Sequence, residues 1–414
     1  MKYKKYFSVI ENFISLSLFK VIDAVIPLII IPYLILVVGK ENYGIYAFAY
    51  ALIFYLLNIV QYGFSLSAVR LIALNRNDKK ELDKIYSNVF TTQLYLTIVV
   101  MVILYLLILT IDKFNEHASL YYFFSLIIVG ELLCPIWFFL GMEKMRFITI
   151  INLISKSSFA VLTFILINEA SDYIYISLYQ SIGYIFSGII AQIIIFKTFK
   201  IKLNLSPFSE VKKMLKDGSS AFLTLITPTL YSNTSIFLVG LFGLPQYVGF
   251  LEIGSKVSGA FGVLNSVLTH TLYPFVNRNK AVMKQLNYVF ITIGFVLSLL
   301  MFFTSEFLIT LWLNDPATEI VKVVKFLSPS PFLVSIISAH GVNGLMVNNK
   351  DKLYLKAVAI GSICGFIACL IFIPKYFYIG GAIAIILAQV IKAILVYFYN
   401  NKLINRQIIN THEV

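Results

Sequence analysis

Histidine, cysteine and tryptophan are scarce in this chain, with 4 His, 3 Cys and 2 Trp among 414 residues. Cys134, Cys364 and Cys369 make no CxxC and have no His at ligand spacing. His117, His340 and His412 stand apart from one another. That leaves no metal or nucleophile constellation and no disulfide framework, and no cofactor is expected. Charge is also thin: 13% of residues are charged and 59% hydrophobic, too little polar surface for a soluble domain of this length. Long hydrophilic connections are missing as well. Without one there is no room for a catalytic domain, which argues against a membrane glycosyltransferase or polymerase and for a chain that is not an enzyme.

What fills the sequence instead is apolar runs of the length that crosses a bilayer as a helix, about 20 residues. They fall near 12–38, 43–70, 88–111, 119–140, 148–168 and 173–197, and again near 217–241, 246–273, 285–313, 318–347, 353–373 and 378–400. Short alternating strands, the mark of an outer-membrane barrel, do not occur. The expected fold is an all-α polytopic membrane protein with about twelve transmembrane helices. The start Met1-Lys2-Tyr3-Lys4-Lys5 resembles the n-region of a signal peptide, but the stretch after it is too long and lacks a small-residue cleavage site, so it is read as the first span.

Lys and Arg, 33 in all with a net charge of +13, fall mainly at the two ends and in every second gap, as at Lys2, Arg76, Lys84, Lys213, Arg278 and Lys352. Only Lys40, Lys113 and Lys375 occupy the intervening gaps. Cytoplasmic loops retain positive charge, so both termini are expected in the cytoplasm. Because the charge is spread over many short loops, anionic membrane lipids are the expected partner and nucleic acid is not.

The longest basic connection divides the chain into an N-terminal six-helix lobe (1–198), a cytoplasmic linker (199–216) with a short amphipathic helix at the interface, a C-terminal six-helix lobe (217–401) and a cytoplasmic tail (402–414). Gly39 to Gly44 after the first span is echoed by Gly243 to Gly249 after the seventh, and Gly141 by Gly344, at separations that agree within one residue. Six spans is an even number, so both halves enter in the same orientation and are expected to be related by a pseudo-two-fold axis along the membrane normal. Pro27, Pro32, Pro135, Pro228, Pro329 and Pro331 are expected to kink several spans around a cavity.

Six lysines sit inside apolar segments, at Lys20, Lys156, Lys256, Lys322, Lys325 and Lys392. A charge near the bilayer centre costs about 2.5–3.5 kcal/mol on insertion scales, so such residues face the interior and mark pathways. Lys20 and Asp23 are three apart, and Glu252 and Lys256 four apart, so each pair shares a helix face. Either the pairs neutralise themselves as interhelical contacts or they serve the pathway. Glu252, Lys256, Gly259, Ser266 and His270 share a stripe that is expected to line a cavity. Lys156, aligned with Asn152 and Thr163, and Lys392, near Gln389, have no acid on their own helices and are the leading anion-binding candidates. Glu131, beside Cys134 and Pro135, is either a carboxyl kept neutral by burial or one that takes up and releases a proton. Lys322, Lys325 and Glu306 are expected to snorkel to the surface. Tyr46, Tyr50, Asn58, Gln61 and Tyr62 place aromatic and amide groups on the second span; Tyr50, Asn58 and Gln61 are candidates for sugar contact, and packing or an aromatic belt is the plainer explanation.

Three segments carry a family resemblance: Pro135-Ile-Trp137-Phe138-Phe139-Leu-Gly141-Met-Glu143-Lys144-Met145; Tyr43-Gly44-Ile-Tyr46 with Tyr62-Gly63-Phe64 and Ser67 to Arg70; and Val248-Gly249-Phe250 followed by Lys256 and Tyr273-Pro274. With them the chain resembles, over nearly its whole length, the polysaccharide transporter family of the multidrug/oligosaccharidyl-lipid/polysaccharide superfamily, in particular the Wzx-type O-antigen flippases. Relatives often carry an acid where this chain has Gln61, so no role of that carboxylate transfers.

The resemblance implies an O-antigen flippase of the bacterial inner membrane that moves undecaprenyl-diphosphate-linked oligosaccharide from the cytoplasmic to the periplasmic leaflet by alternating access. It also implies coupling to a proton or sodium gradient and contact with the polysaccharide polymerase machinery. Lys20, Lys156, Lys256 and Lys392 would form the cationic cavity, and Asp23, Glu131 and Glu252 are the candidates for ion coupling. A multidrug or organic-cation exporter on the same fold is the alternative. It calls for a net acidic cavity, and six Lys against Asp23, Glu131, Glu252 and Glu306 do not supply one.

Overall fold

In hydrocarbon every backbone polar group must bond within the chain, so an apolar chain of this length folds as helices. The computed structural model describes residues 2–278, 283–313 and 317–412, and among them no strand occurs. The helices group into two compact units, Met1–Ile226 and Thr227–Val414. The first holds α1 (Lys2–Gln61), α2 (Phe64–Leu74), α3 (Lys79–Thr110), α4 (Asp112–Asn115), α5 (Ala118–Leu133), α6 (Ile136–Gly141), α7 (Met145–Leu166), α8 (Tyr173–Lys197) and α9 (Phe208–Ile226). The second holds α10 (Thr229–Phe242), α11 (Pro245–Arg278), α12 (Met283–Leu313), α13 (Thr318–Leu327), α14 (Ser330–Ile336), a π-helical segment Ile337–Met346 and α15 (Asp351–His412).

Eight stretches of the described chain are long and apolar enough to cross a membrane. Two of them, Ile14–Leu74 with 61 residues and Asp351–Leu403 with 53, have at least twice the length of one crossing, about 20 residues, and each is broken inside. The first breaks at Gly39, whose φ of 82° is one that glycine adopts without strain. The second breaks at Phe377, φ 47°. Close approaches of Gly361 to Lys392, Gly365 to Ala388 and Gly380 to Phe372 are all nearly symmetric about that break, so the two arms of α15 form an antiparallel hairpin. α9, α10 and the 34-residue α11 occupy the remaining apolar stretches, so helices cover all twelve expected segments. Pro27 and Pro32 remain inside α1 without interrupting it, whereas Pro135, Pro228 and Pro329 stand at helix starts.

In the first unit the two arms of α1 lie against α7 and α8 in a single register. Asn12 Oδ1 accepts from Met145 N (3.3 Å), Ser15 O from Thr149 Oγ1 (2.7 Å) and Phe19 O from Asn152 Nδ2 (3.4 Å). Further along, Tyr33 OH donates to Ile167 O (2.6 Å) and Tyr46 OH to Gln180 Oε1 (2.7 Å). Each partner lies 133 or 134 positions downstream, and a constant difference means that the helices run parallel. Spans one and five therefore point the same way, as do two and six. α8 also presses on α7 at Gly183, where a Cβ would lie 2.5 Å from Ser155 O. Gly183→Val should therefore lower the melting temperature by several degrees and reduce the level of folded protein, the usual result of overpacking a backbone contact. Fluorescence-detected size-exclusion melts check this.

The basic connection is a strap. Lys202 N donates to Asp83 Oδ1 (2.9 Å), Asn204 N to Ser87 Oγ (3.1 Å) and Ser206 N to Thr91 Oγ1 (3.1 Å). Alternate residues of the extended chain thus meet one face of α3, and Ile201 and Leu203 turn into the core. α9 begins within the expected linker; it buries Val211, Met214 and Gly218 and exposes Lys212, Lys213 and Lys216, which makes it amphipathic.

Candidate functional site

Charges inside the first unit meet between helices. Lys156 on α7 lies 3.2 Å from Asp23 on α1, the next rung of the same parallel register. This corrects the expectation that Lys156 stands without an acid: the acid comes from another span, which spacing within one helix cannot reveal. Asp23 is likewise engaged beyond its own helix, while Lys20 is half-buried and has interactions of its own. The aligned Asn152 bonds to α1 and Thr163 is buried. On α1 the exposed Ile14, Leu18, Val21, Val25 and Ile29 form one stripe suited to lipid. At about 100° per residue, Asp23 lies on the opposite side. Its side chain is nonetheless 54% exposed, against 17% for Lys156. The acid is exposed on the side of α1 opposite that apolar stripe.

Glu131, near the end of α5, accepts a hydrogen bond from Gln61 Nε2 at 2.8 Å. The helix ends just beyond it because Pro135 can donate no hydrogen bond. Gln192 Nε2 donates to the carbonyl of Leu133 (2.9 Å) and its Oε1 accepts from Tyr86 OH (2.6 Å), so the break is repaired by a side chain of α8 that α3 holds in place. Tyr184 on α8, which sequence reasoning missed, lies beside Tyr50 and within electrostatic reach of both Glu131 and Asp23. It joins the sequence candidates Tyr50, Glu131 and Asp23 into one polar region of the first unit. Nothing in the sequence marks it among 26 Tyr; the signal is Gly130, where a Cβ would lie 2.7 Å from Tyr184 Cβ. Asn58 donates to Phe54 O of its own helix (2.7 Å).

The segments that carry the family resemblance are structural braces around this region. Trp137 Nε1 donates to Gln93 Oε1 (3.1 Å), and Phe138 and Phe139 are fully buried. Arg76 donates to Gly141 O (2.7 Å) and Glu143 (2.8 Å), tying the turn after α6 to the end of α2. Tyr62 stacks on Phe222 of α9 with ring centroids 4.8 Å apart. At Gly63, φ 72°, a Cβ would lie 2.5 Å from Phe222 N.

In the second unit Lys256 pairs with Glu252 at 3.6 Å, as the four-residue spacing predicts. The side chains of Ser266 and His270 on the same stripe lie outside the described residues. Lys392 is 5% exposed, packs over Gly361 and holds its ammonium 3.8 Å from the ring centroid of Tyr231. Among the described residues no acid lies within ion-pair distance of it. The neighbouring Gln389 Oε1 and Ser362 Oγ are buried and have no hydrogen-bond partner among the described residues. His340 bonds Asn400 (3.1 Å). Lys322 is exposed and Lys325 half-buried, and they pair with Glu319 (2.8 Å) and Glu306 (3.4 Å), outside this interior set.

The model of a family described as "Polysaccharide biosynthesis protein" matches residues 9–280. Over 406 residues the chain is 28% identical to the "Putative O-antigen transporter" of Escherichia coli (strain K12), covering 95% of this chain and 97% of that protein. A protein of the same name from Shigella dysenteriae is 23% identical over 392 residues, covering 92% and 97%. Among solved structures, the lipid II flippase MurJ in an inward closed conformation superposes with a TM-score of 0.75 at 16% identity, covering 95% of this chain and 86% of that one. An inward-facing MATE family multidrug resistance transporter of the MOP superfamily gives 0.69 at 12% identity, with 94% of each chain covered. These two share the fold.

Proposed function

The chain belongs to the polysaccharide biosynthesis protein family, and on that premise we propose that it flips a polyprenyl-diphosphate-linked oligosaccharide from the cytoplasmic to the periplasmic leaflet of a bacterial inner membrane. It is a membrane transporter and not an enzyme. The observation that carries the substrate reading is the near full-length similarity to two proteins named for O-antigen transport. The interior charges suit such a cargo. A diphosphate needs cations along its route, and Lys20, Lys156, Lys256 and Lys392 supply them, with Tyr50, Asn58 and Gln61 offering aromatic and amide groups to sugars. Asp23, Glu131 and Glu252 are the groups that could exchange a coupling ion, proton or sodium. Both termini lie in the cytoplasm in this reading, and the two units act as the N- and C-terminal lobes of an alternating-access cycle.

Deletion of the gene should cause a lipid-linked repeat unit to accumulate on the cytoplasmic leaflet, identified by mass spectrometry of the polyprenyl-linked glycan pool. A drug-sensitive strain with normal surface polymer would point instead to an exporter of organic cations. Unpolymerised repeats already outside the cell would point to a polymerase.

A further inference from the structure

We infer that Asp23 is a displaceable counter-ion, which holds Lys156 in the empty protein and yields it to a phosphate oxyanion of the substrate. The inference rests on the reading of the cargo as a polyprenyl diphosphate. Its first support is the ladder between α1 and α7. The rungs made through Asn12, Ser15, Phe19 and Tyr33 are neutral hydrogen bonds in which one partner is a backbone group. Packing of these two spans therefore does not call for charge, yet the rung between Phe19 and Tyr33 is an ion pair.

The second support is its asymmetry. Lys156 is mostly enclosed, whereas Asp23 is 54% exposed on the side of α1 turned away from the apolar stripe. A structural ion pair in a membrane hides both partners and adds hydrogen bonds to each. Here the carboxylate makes one contact, Oδ1 to Nζ at 3.2 Å, and no other hydrogen bond or ion pair among the described residues. The third support is chemical. A carboxylate oxygen and a phosphate oxygen are interchangeable acceptors for an ammonium, and Lys binds either as a point charge with rotatable donors rather than through a fixed fork. The acid thus keeps the lysine charged at low cost between turnovers, and the incoming diphosphate, with more charge, replaces it.

The test is binding of inorganic pyrophosphate and of geranyl diphosphate to the purified full-length protein in phosphatidylcholine nanodiscs, followed by calorimetry. Asp23→Asn should bind both probes about tenfold more tightly than wild type, because the competitor is gone. It should also slow turnover in cells, since release is slower. Lys156→Gln should lose binding. Both variants should keep a melting temperature within a few degrees of wild type. Equal affinity in wild type and Asp23→Asn overturns the inference, as does binding retained in Lys156→Gln. The substrate reading fails separately, when the deletion strain accumulates no polyprenyl-linked glycan.

Discussion

Lys392→Met should abolish surface polysaccharide while leaving the protein as stable as wild type or more so. The ammonium is enclosed at 5% exposure, and the contact that answers its charge is the face of Tyr231. Holding a charge at such depth costs about 2.5–3.5 kcal/mol on insertion scales, and a cation–π contact returns about 0.5–2 kcal/mol. The balance is a net loss that an apolar side chain of the same length would not incur. Methionine is unbranched and flexible enough to follow the lysine stem over Gly361. An ionisable group held inside the membrane at a cost to stability marks a functional position. Thermal melts and surface-polymer gels of the same strain separate the two effects. Normal polymer would remove Lys392 from the anion pathway, and a melting temperature several degrees lower would make it a structural residue.

Helix content and span positions were legible because a bilayer permits so few solutions: apolar runs of sufficient length become helices wherever they occur. The break after the first span was legible at Gly39, since that residue closed the apolar run and opened a polar one. The Glu252–Lys256 pair was legible for a similar reason, as helical spacing alone brings the two together. Contacts between helices were not legible. Asp23 meets Lys156 because α1 and α7 run parallel at an offset of 133 residues, and a single sequence carries no mark of that register. Tyr184 was hidden for the same reason, its role set by where α5 and α8 cross at Gly130. The basic connection reads as a cytoplasmic linker with a short amphipathic helix because charge dominates its composition. Its order comes from Asp83, Ser87 and Thr91, polar residues of α3 that nothing in a single sequence ties to the connection.

Glu131→Gln should leave protein level and fold unchanged while removing the response of flux to an imposed proton gradient. Of the three acids proposed for coupling, Asp23 and Glu252 are already held by lysines at 3.2 and 3.6 Å. Protonating either would break an ion pair inside the membrane. Glu131 faces a neutral partner, the amide of Gln61 at 2.8 Å, so it can gain or lose a proton without stranding an opposite charge. Glutamine at 131 still offers a carbonyl oxygen to Gln61 Nε2, so the hydrogen bond survives and only the titratable charge is lost.

The need for such a group follows from the proposed cargo. An anion moving outward from a negative interior gains about 2.3 kcal/mol per charge per 100 mV. On the proposed reading, a diphosphate neutralised by lysines in transit forfeits that gain, and exchange of a coupling ion would supply direction. In proteoliposomes, the ratio of flux with and without a pH gradient should fall to about one in Glu131→Gln, with flux in the absence of a gradient retained. An unchanged ratio would exclude Glu131 from coupling. A response in wild type to sodium but not to pH would shift the role to a cation bound as such, for which a carboxylate and a side-chain amide oxygen are both suitable ligands.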